Sequence, residues 1–143
     1  MNYEVLEHVG DAKIRAFGKT KEELFLHAML GMNALLKPRI TNRESRIKRA
    51  IHITSTDTNA LLVDFLSEVN YLREVHGEVY DKARFTRFSD TPSANSEQVG
   101  LEGELEGVRV EGFGEDIKAV TFHDLDIHKN RKGLWETVVV FDI

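Results

Sequence analysis

The chain ends in two adjacent acidic groups, the side chain of Asp142 and the terminal carboxylate expected on Ile143. They follow the apolar run 138–141, which is typical of a buried strand. Two negative charges held side by side repel each other unless a cation or hydrogen-bond donors lie close to both. This end of the chain is therefore a candidate cation site, and an ordinary solvated terminus is the alternative.

A second pair of chemically capable residues lies near the start, where His8 and Asp11 stand three apart with Gly10 between them. These side chains can converge on a cation or a substrate; the alternative is a turn hydrogen bond for Asp11 and a partly buried His8. If the first and last strands are neighbours, Asp11 joins Asp142 and Ile143 in a set of three carboxylates. Oxygen ligands of this kind suit Ca²⁺, Mg²⁺ or Mn²⁺ better than structural zinc.

Two further sets of residues are candidates for chemistry. In the string Lys118–His123, strand geometry would put Lys118 and His123 on opposite faces. His123 then stands at a strand end as a ligand, a general base or a core histidine. Asp64 and Glu68 stand four apart on one helix face, either as a solvated edge or in a metal-binding or substrate-acid role.

The apolar pattern predicts the elements that must position these residues. Thr20 caps a first helix that stops at Lys37-Pro38, and Asp57 caps a second helix over about 58–75 that Gly77 ends. We expect one α+β domain over residues 1–143, with an antiparallel or mixed sheet of six to seven strands and both helices on one face. The glycine-rich strand is expected at an edge. The predicted strands are 3–7, 12–17, 46–55, 79–88, 99–108, 120–128 and 134–141.

Composition excludes several function classes. The chain has no cysteine, so disulfides, thiolate catalysis and thiolate zinc sites are excluded. It shows neither a signal peptide nor an apolar run long enough to span a membrane, so a cytoplasmic protein with no membrane partner is expected. A net charge of −5 argues against direct, stable nucleic-acid binding. The basic residues between Arg39 and Arg49 form either a solvated loop leading into a strand or a partner-facing patch.

Taken together, four motifs resemble the archease family. His8-Val9-Gly10-Asp11 stands where the family opens with His-Thr-Ala-Asp, and Thr20–Phe25 corresponds to its Thr-x-Glu-Glu-x-Phe helix start. Lys118–His123 matches the family string Lys-Ala-hydrophobic-Thr-aromatic-His at each position. Phe141-Asp142-Ile143 matches its hydrophobic-Asp-hydrophobic end.

The resemblance implies a function. Archeases assist the GTP-dependent, RtcB-type tRNA-splicing ligase, promoting its guanylylation and multiple turnover in tRNA splicing and RNA repair, without being enzymes themselves. The resemblance implies a divalent metal, with Ca²⁺ placed in the family and Mg²⁺ or Mn²⁺ as alternatives, on Asp11, Asp142 and Ile143. His8, Lys118 and His123 are supporting candidates. The other functions considered are a general chaperone or modulator of protein or nucleic-acid-processing complexes, and a metal-dependent hydrolase using Asp11, His8 and His123. The oligomeric state stays open.

Overall fold

The computed structural model describes residues 2–7, 10–92 and 97–143. Within them it contains two helices and eight strands, arranged in two antiparallel sheets. The predicted α+β class with two helices is confirmed, while the strands divide between two sheets instead of forming one. The elements are β1 Tyr3–Glu7, β2 Ala12–Gly18, α1 Lys21–Leu36, β3 Arg46–Ser55, α2 Thr58–His76, β4 Glu78–Ser89, β5 Val99–Arg109, β6 Ala119–Thr121, β7 His128–Lys129 and β8 Trp135–Asp142.

Both helices begin at the capping residues that the sequence predicts. The Thr20 hydroxyl accepts a hydrogen bond from the Glu23 amide at 3.1 Å, and the Asp57 carboxylate accepts one from the Ala60 amide at 2.8 Å. Each bond satisfies an amide that the first helical turn leaves without a carbonyl partner. α2 ends at Gly77, whose φ of 66° lies in the left-handed region that glycine adopts at little cost.

The two sheets share one hydrophobic core with the two helices. The larger sheet has the strand order β1-β2-β8-β6, with β7 also pairing with β8, and the smaller has the order β3-β5-β4. Phe25 of α1 and Phe65 of α2 are fully buried, and their ring centroids lie 5.7 Å apart. Neither helix in the described part of the chain has the length and apolar character needed to cross a membrane.

The glycine-rich strand β5 lies in the middle of the smaller sheet, so the prediction of an edge position is wrong. A Cβ on Gly103 would overlap the carbonyl oxygen of Arg84, and a Cβ on Gly107 would overlap that of Val79. Each glycine pairs with a residue at which β4 shifts its register. The missing side chains thus allow the bulged backbone of β4 to approach closely, a recognised use of glycine inside a strand.

The strand predicted over 120–128 is not continuous: its first residues lie in β6, but the chain leaves the sheet after Thr121 and returns only at His128. Asp124 has a φ of 59°, which interrupts an extended backbone. The Asp126 amide donates to the Thr137 hydroxyl at 3.1 Å, and the Ile127 amide donates to the Asn59 side chain at 3.0 Å. These side-chain acceptors replace the ladder partners that a continuous strand would use.

Arginines of the Arg39–Arg49 segment hold the smaller sheet together. Arg49 donates to both oxygens of the fully buried Glu78 carboxylate, at 2.9 and 2.8 Å, and the Tyr80 hydroxyl donates to it at 2.7 Å. Burial raises the pKa of Glu78, but the hydrogen bonds from Arg49 and Tyr80 outweigh it and hold this pKa below its usual value. Arg46 likewise pairs with acids on β4 and β5. Arg46 and Arg49 therefore stabilise the fold. The two alternatives drawn from the sequence, a solvated loop leading into a strand and a partner-facing patch, did not include this role.

We expect Glu78→Gln to lower the free energy of unfolding by about 2 kcal/mol at pH 7, because charge-assisted hydrogen bonds to a buried carboxylate are lost. Urea denaturation measures this difference. The pKa of Glu78 is lower in the folded than in the unfolded state, so its contribution is complete above the unfolded pKa. The difference between wild type and variant should therefore shrink as the pH falls through the folded pKa.

Glu104→Gln is the matched control for this prediction. Its carboxylate lies 3.7 Å from Lys48 with 46% of the side chain exposed, so its removal should change the stability by less than about 0.5 kcal/mol. Equal losses from the two variants would contradict a special contribution of the buried cluster.

Candidate functional site

The ends of β2 and β8 bring the two aspartates of the candidate site to neighbouring positions. The strands are antiparallel partners, and Ala12 pairs with Phe141. Asp11 directly precedes Ala12, and Asp142 directly follows Phe141. The turn before Asp11 contains Gly10 with a φ of 85°, a backbone conformation that favours glycine. The sequence hypothesis required the first strand to lie beside the last; in the structure it is the second strand, β2, that pairs with β8 and brings Asp11 to the Asp142 end.

Asp11 and Ile143 line one cleft of about 280 Å³. Glu115 and Lys37 line it too, so a further carboxylate and an ammonium group border the same space. One carboxylate oxygen of Asp11 is buried, while Asp142 is exposed beside the cleft. The remaining wall of the cleft is formed by Val5, Leu6, Ala12, Ala34 and Leu35.

The C-terminal end of α1 forms one wall of this cleft. The helix stops at Lys37, whose φ of 50° turns the chain away, and Pro38 follows. Two amides of the segment after β5 donate to the helix end: Gly114 to the Lys37 carbonyl at 2.9 Å and Glu115 to the Leu36 carbonyl at 3.2 Å. The C-terminal end of a helix carries partial negative charge, which adds to the attraction of this cleft for cations.

Two buried polar residues of α2 fix the segment that leads to the candidate site. The Asn70 side chain donates to the carbonyl oxygen of Ile117 at 3.0 Å, and Arg73 donates to Asp116 at 3.2 Å. The next amide, that of Lys118, donates to the main-chain oxygen of Asp142 at 2.8 Å. The position of the Asp142 backbone is thus tied to α2 through a continuous set of hydrogen bonds.

The two supporting candidates that the structure describes, Lys118 and His123, do not line this cleft. The backbone of Lys118 contacts Asp142, but Lys118 lines a different cleft of about 300 Å³ beside α2. His123 is exposed, and its Nε2 lies 3.5 Å from Asp124. The alternative that His123 is a core histidine is therefore wrong. Because Thr121 pairs with Val140, the strand register carries His123 away from the Asp142 end. His8 lies outside the described residues.

Asp64 and Glu68 lie at a separate place. They line a cleft of about 410 Å³ between β3 and α2. The Ser55 hydroxyl donates to Asp64 at 2.5 Å, which links the end of β3 to α2. This contact gives Asp64 a structural role. Asp64 and Glu68 therefore form a group apart from Asp11 and Asp142.

The carboxylates of the cleft set limits on what can bind there. Across residues 2–7, 10–92 and 97–143, no three His, Cys, Asp or Glu side chains form a group that could hold a metal ion. The ends of β2 and β8 nevertheless place Asp11 and Asp142 at neighbouring positions, with main-chain oxygens beside them. Carboxylate and main-chain oxygens are donors for a hard cation, so the donor chemistry fits Ca²⁺, Mg²⁺ or Mn²⁺.

Sequence reasoning missed two residues of the cleft, Lys37 and Glu115. Lys37-Pro38 was informative only as a helix stop, and Glu115 lies in a stretch without a periodic pattern. No local signal identifies Glu115, because it reaches the cleft through backbone pairing between two segments about 75 residues apart in sequence.

Comparison with known proteins agrees with the resemblance seen in the motifs. The model of the Archease protein family (MTH1598/TM1083) matches residues 3–143. The chain belongs to the archease family. The archease of Methanosarcina barkeri is 37% identical over 142 residues, which covers 99% of this chain and 95% of that relative. The archease of Thermococcus gammatolerans is 30% identical over 141 residues, covering 99% and 98%.

Solved structures of archease-family proteins have the same fold. The solution structure of protein 1598 of Methanobacterium thermoautotrophicum matches with a TM-score of 0.74 and 25% identity, covering 99% of both chains. The crystal structure of a Thermotoga maritima archease, described as a possible chaperone, matches with a TM-score of 0.65 and 20% identity. It covers 98% of this chain and 96% of that one. The family assignment from the motifs is confirmed.

Proposed function

We propose that this archease-family protein is a non-catalytic activator of an RtcB-type, GTP-dependent RNA ligase. In this role it promotes guanylylation of the ligase and its multiple turnover in tRNA splicing and RNA repair. The supporting observation is the juxtaposition of Asp11 and Ile143 in one cleft, with Asp142 at the neighbouring strand end. The proposal places the interaction with the ligase at this end of the larger sheet.

A divalent cation is part of the proposal. Asp11 and Asp142 would hold it, with the carboxylate expected on Ile143 as a third ligand, and Ca²⁺, Mg²⁺ and Mn²⁺ all suit oxygen donors. When bound, such an ion supplies positive charge that stabilises the phosphates of a nucleotide during phosphoryl transfer. A site with few side-chain ligands leaves coordination positions for oxygen atoms from a partner or a substrate.

The residues around the aspartates serve to orient them. β8 cannot shift along its neighbours without breaking the β2–β8 ladder, and the Lys118 amide holds the Asp142 main-chain oxygen at 2.8 Å. Groups held in this way bind a cation without first losing much conformational freedom. Lys37 lines the same cleft, and its positive charge opposes cation binding until a partner or phosphate draws it away.

We expect Asp11→Asn and Asp142→Asn each to weaken Ca²⁺ or Mn²⁺ binding by at least about tenfold, because each removes one negative charge and a strong oxygen donor. Isothermal titration calorimetry of the protein alone measures the affinity. Asp126→Asn, at an exposed aspartate in the segment between β6 and β7, should leave it unchanged. Wild-type affinity in both cleft variants would contradict the metal site.

The same variants test the activator function. In a guanylylation assay with the cognate ligase, GTP and divalent metal, Asp11→Asn and Asp142→Asn should lose about tenfold or more of the stimulation that the wild-type protein gives. Their thermal unfolding should stay near that of the wild type, because both aspartates stand at strand ends rather than in the core. Full stimulation by both variants would contradict a role for the acidic cleft.

Extending the chain beyond Ile143 provides a separate test of the third ligand. A short tag fused to Ile143 removes the carboxylate expected there while it leaves both aspartates in place. Stimulation should fall much further than thermal stability does. Normal stimulation by the tagged protein would leave Asp11 and Asp142 as the only protein ligands in the proposal.

A chaperone-like activity is the second candidate, favoured by exposed apolar side chains. Tyr71 and Val75 stand four apart on α2 with 58% and 55% of their surface exposed, and Phe122 has 60% exposed. Exposed apolar surface binds unfolded clients. If this activity is the main one, Tyr71→Ser with Val75→Ser should abolish suppression of client aggregation in a light-scattering assay, whereas Asp142→Asn should not. The opposite pattern would favour the ligase activator.

A further inference from the structure

The tight connection between β7 and β8 presents a group of basic side chains on a fixed turn. The Asn130 side-chain oxygen accepts the amides of Lys132 at 2.9 Å and Leu134 at 3.1 Å. The Asn130 amide donates to the Leu134 carbonyl at 2.8 Å, which closes the turn. Lys129, Arg131 and Lys132, hereafter the basic turn, are exposed around this framework.

The positive charges of the basic turn are not neutralised by salt bridges in the part of the chain that the structure describes. Within the described residues, none of its three cations forms a salt bridge; Lys129 instead lies over the ring of Trp135 at 5.3 Å. Lys21 contacts the same ring at 4.6 Å, and its own charge is paired with Asp90 at 2.7 Å. The basic turn is therefore a local positive site on a chain whose net charge is −5.

The exposed cations of the smaller sheet behave differently. Lys48, Lys82 and Arg87 each lie 3.7 Å from a glutamate of β5, so that face is a ladder of compensated charges. Exposed pairs of this kind contribute little to stability, but they leave little net charge to attract a partner. Of these two surfaces, the basic turn is the one where an anionic partner gains more.

An open cleft of about 470 Å³ adjoins the basic turn. Its lining combines the half-buried apolar side chains of Phe17 and Leu134 with the cations Arg131 and Lys132. Glu136 also lines it, but it is engaged by the Asn130 side chain at 3.2 Å and by His128 at 3.3 Å. The cleft thus offers an aromatic and aliphatic floor beside positive charge.

We propose that the basic turn binds single-stranded nucleic acid. Its three cations contact backbone phosphates, and one unstacked base enters the cleft against Phe17 and Leu134. Clustered cations supply most of the affinity for a polyanion, and an aromatic side chain beside them holds a base without strict sequence preference. The expectation against nucleic-acid binding was drawn from the net charge of the whole chain, which averages this end of the molecule with the acidic end.

This site is separate from the one in the proposed function. β8 runs from Trp135 beside the basic turn to Asp142 at the acidic cleft, a span of about 23 Å for a strand of this length. Nucleic-acid binding at the basic turn goes beyond ligase activation and needs no ligase for its test. Failure of either proposal leaves the other standing.

The test measures binding of a fluorescently labelled single-stranded RNA of about 12 nucleotides to the protein alone, by anisotropy at several salt concentrations. The variant Lys129→Gln, Arg131→Gln, Lys132→Gln should weaken binding at least about tenfold and reduce the slope of log K against log salt by about 2, since three phosphate contacts are lost. The charge-matched control Lys48→Gln, Lys82→Gln, Arg87→Gln should change the affinity less than about twofold.

Three further measurements complete the test. Trp135 is the only tryptophan of the chain, so its fluorescence should change on binding and report contact at this end. A DNA strand of the same sequence tests whether the sugar matters: equal binding supports a phosphate contact common to both, and tighter RNA binding supports RNA as the partner. The proposal is overturned by no measurable binding, by equal losses in the basic-turn and control variants, or by a polyglutamate that binds the turn more tightly than the RNA does.

Discussion

The pairing of β2 with β8 is the constraint on which the rest of the candidate site depends. It fixes seven residue pairs from Ala12–Phe141 to Gly18–Trp135, and buried Val139 and Phe141 hold β8 against the core. A slip of one residue would turn those side chains away from the core they now fill, so the register has one favourable value. The neighbourhood of Asp11 and Asp142 follows directly from that register.

The helix α2 contributes a second level of control. Asn70 and Arg73 are buried polar residues whose hydrogen-bonding groups face the chain segment that runs into β6. A buried hydrogen-bonding group without a partner costs about 1–3 kcal/mol. The bonds from Asn70 and Arg73 therefore hold the segment firmly. Phe113, over which the Arg73 guanidinium lies at 4.7 Å, extends the same attachment. The result is that a helix at a distance from Asp142 helps to position its main chain.

Much of this architecture could be predicted from the sequence, and the exceptions have clear physical reasons. The helices were predictable because Thr20, Asp57 and Gly77 act on their own neighbours in the chain. The central position of β5 was not, because glycine weakens a strand locally and its benefit appears only when the β4 backbone packs against it. The break after Thr121 depends on acceptors from Asn59 and Thr137, which no local pattern reveals.

Asp142 was visible in the sequence because it directly follows the apolar run of β8, whereas Glu115 was not, because it reaches the cleft through pairing with the end of α1. The resemblance to the archease motifs added Asp11 to the same site. The residue pattern alone left two roles open for Asp11, a cation or substrate ligand and a turn hydrogen bond. Its position beside β8 then followed from the strand order rather than from any property of the residue.

The fixed turn that Asn130 stabilises has a consequence for how the molecule moves through solution. Positive charge at one end of β8 and carboxylates at the other give the larger sheet an electric dipole moment along that strand. A charged surface exerts a torque on such a dipole before the two molecules touch, so encounters begin with a preferred orientation. Because the ionic atmosphere screens this torque beyond about 8–10 Å at physiological salt, the orientation sets in only during the last part of the approach.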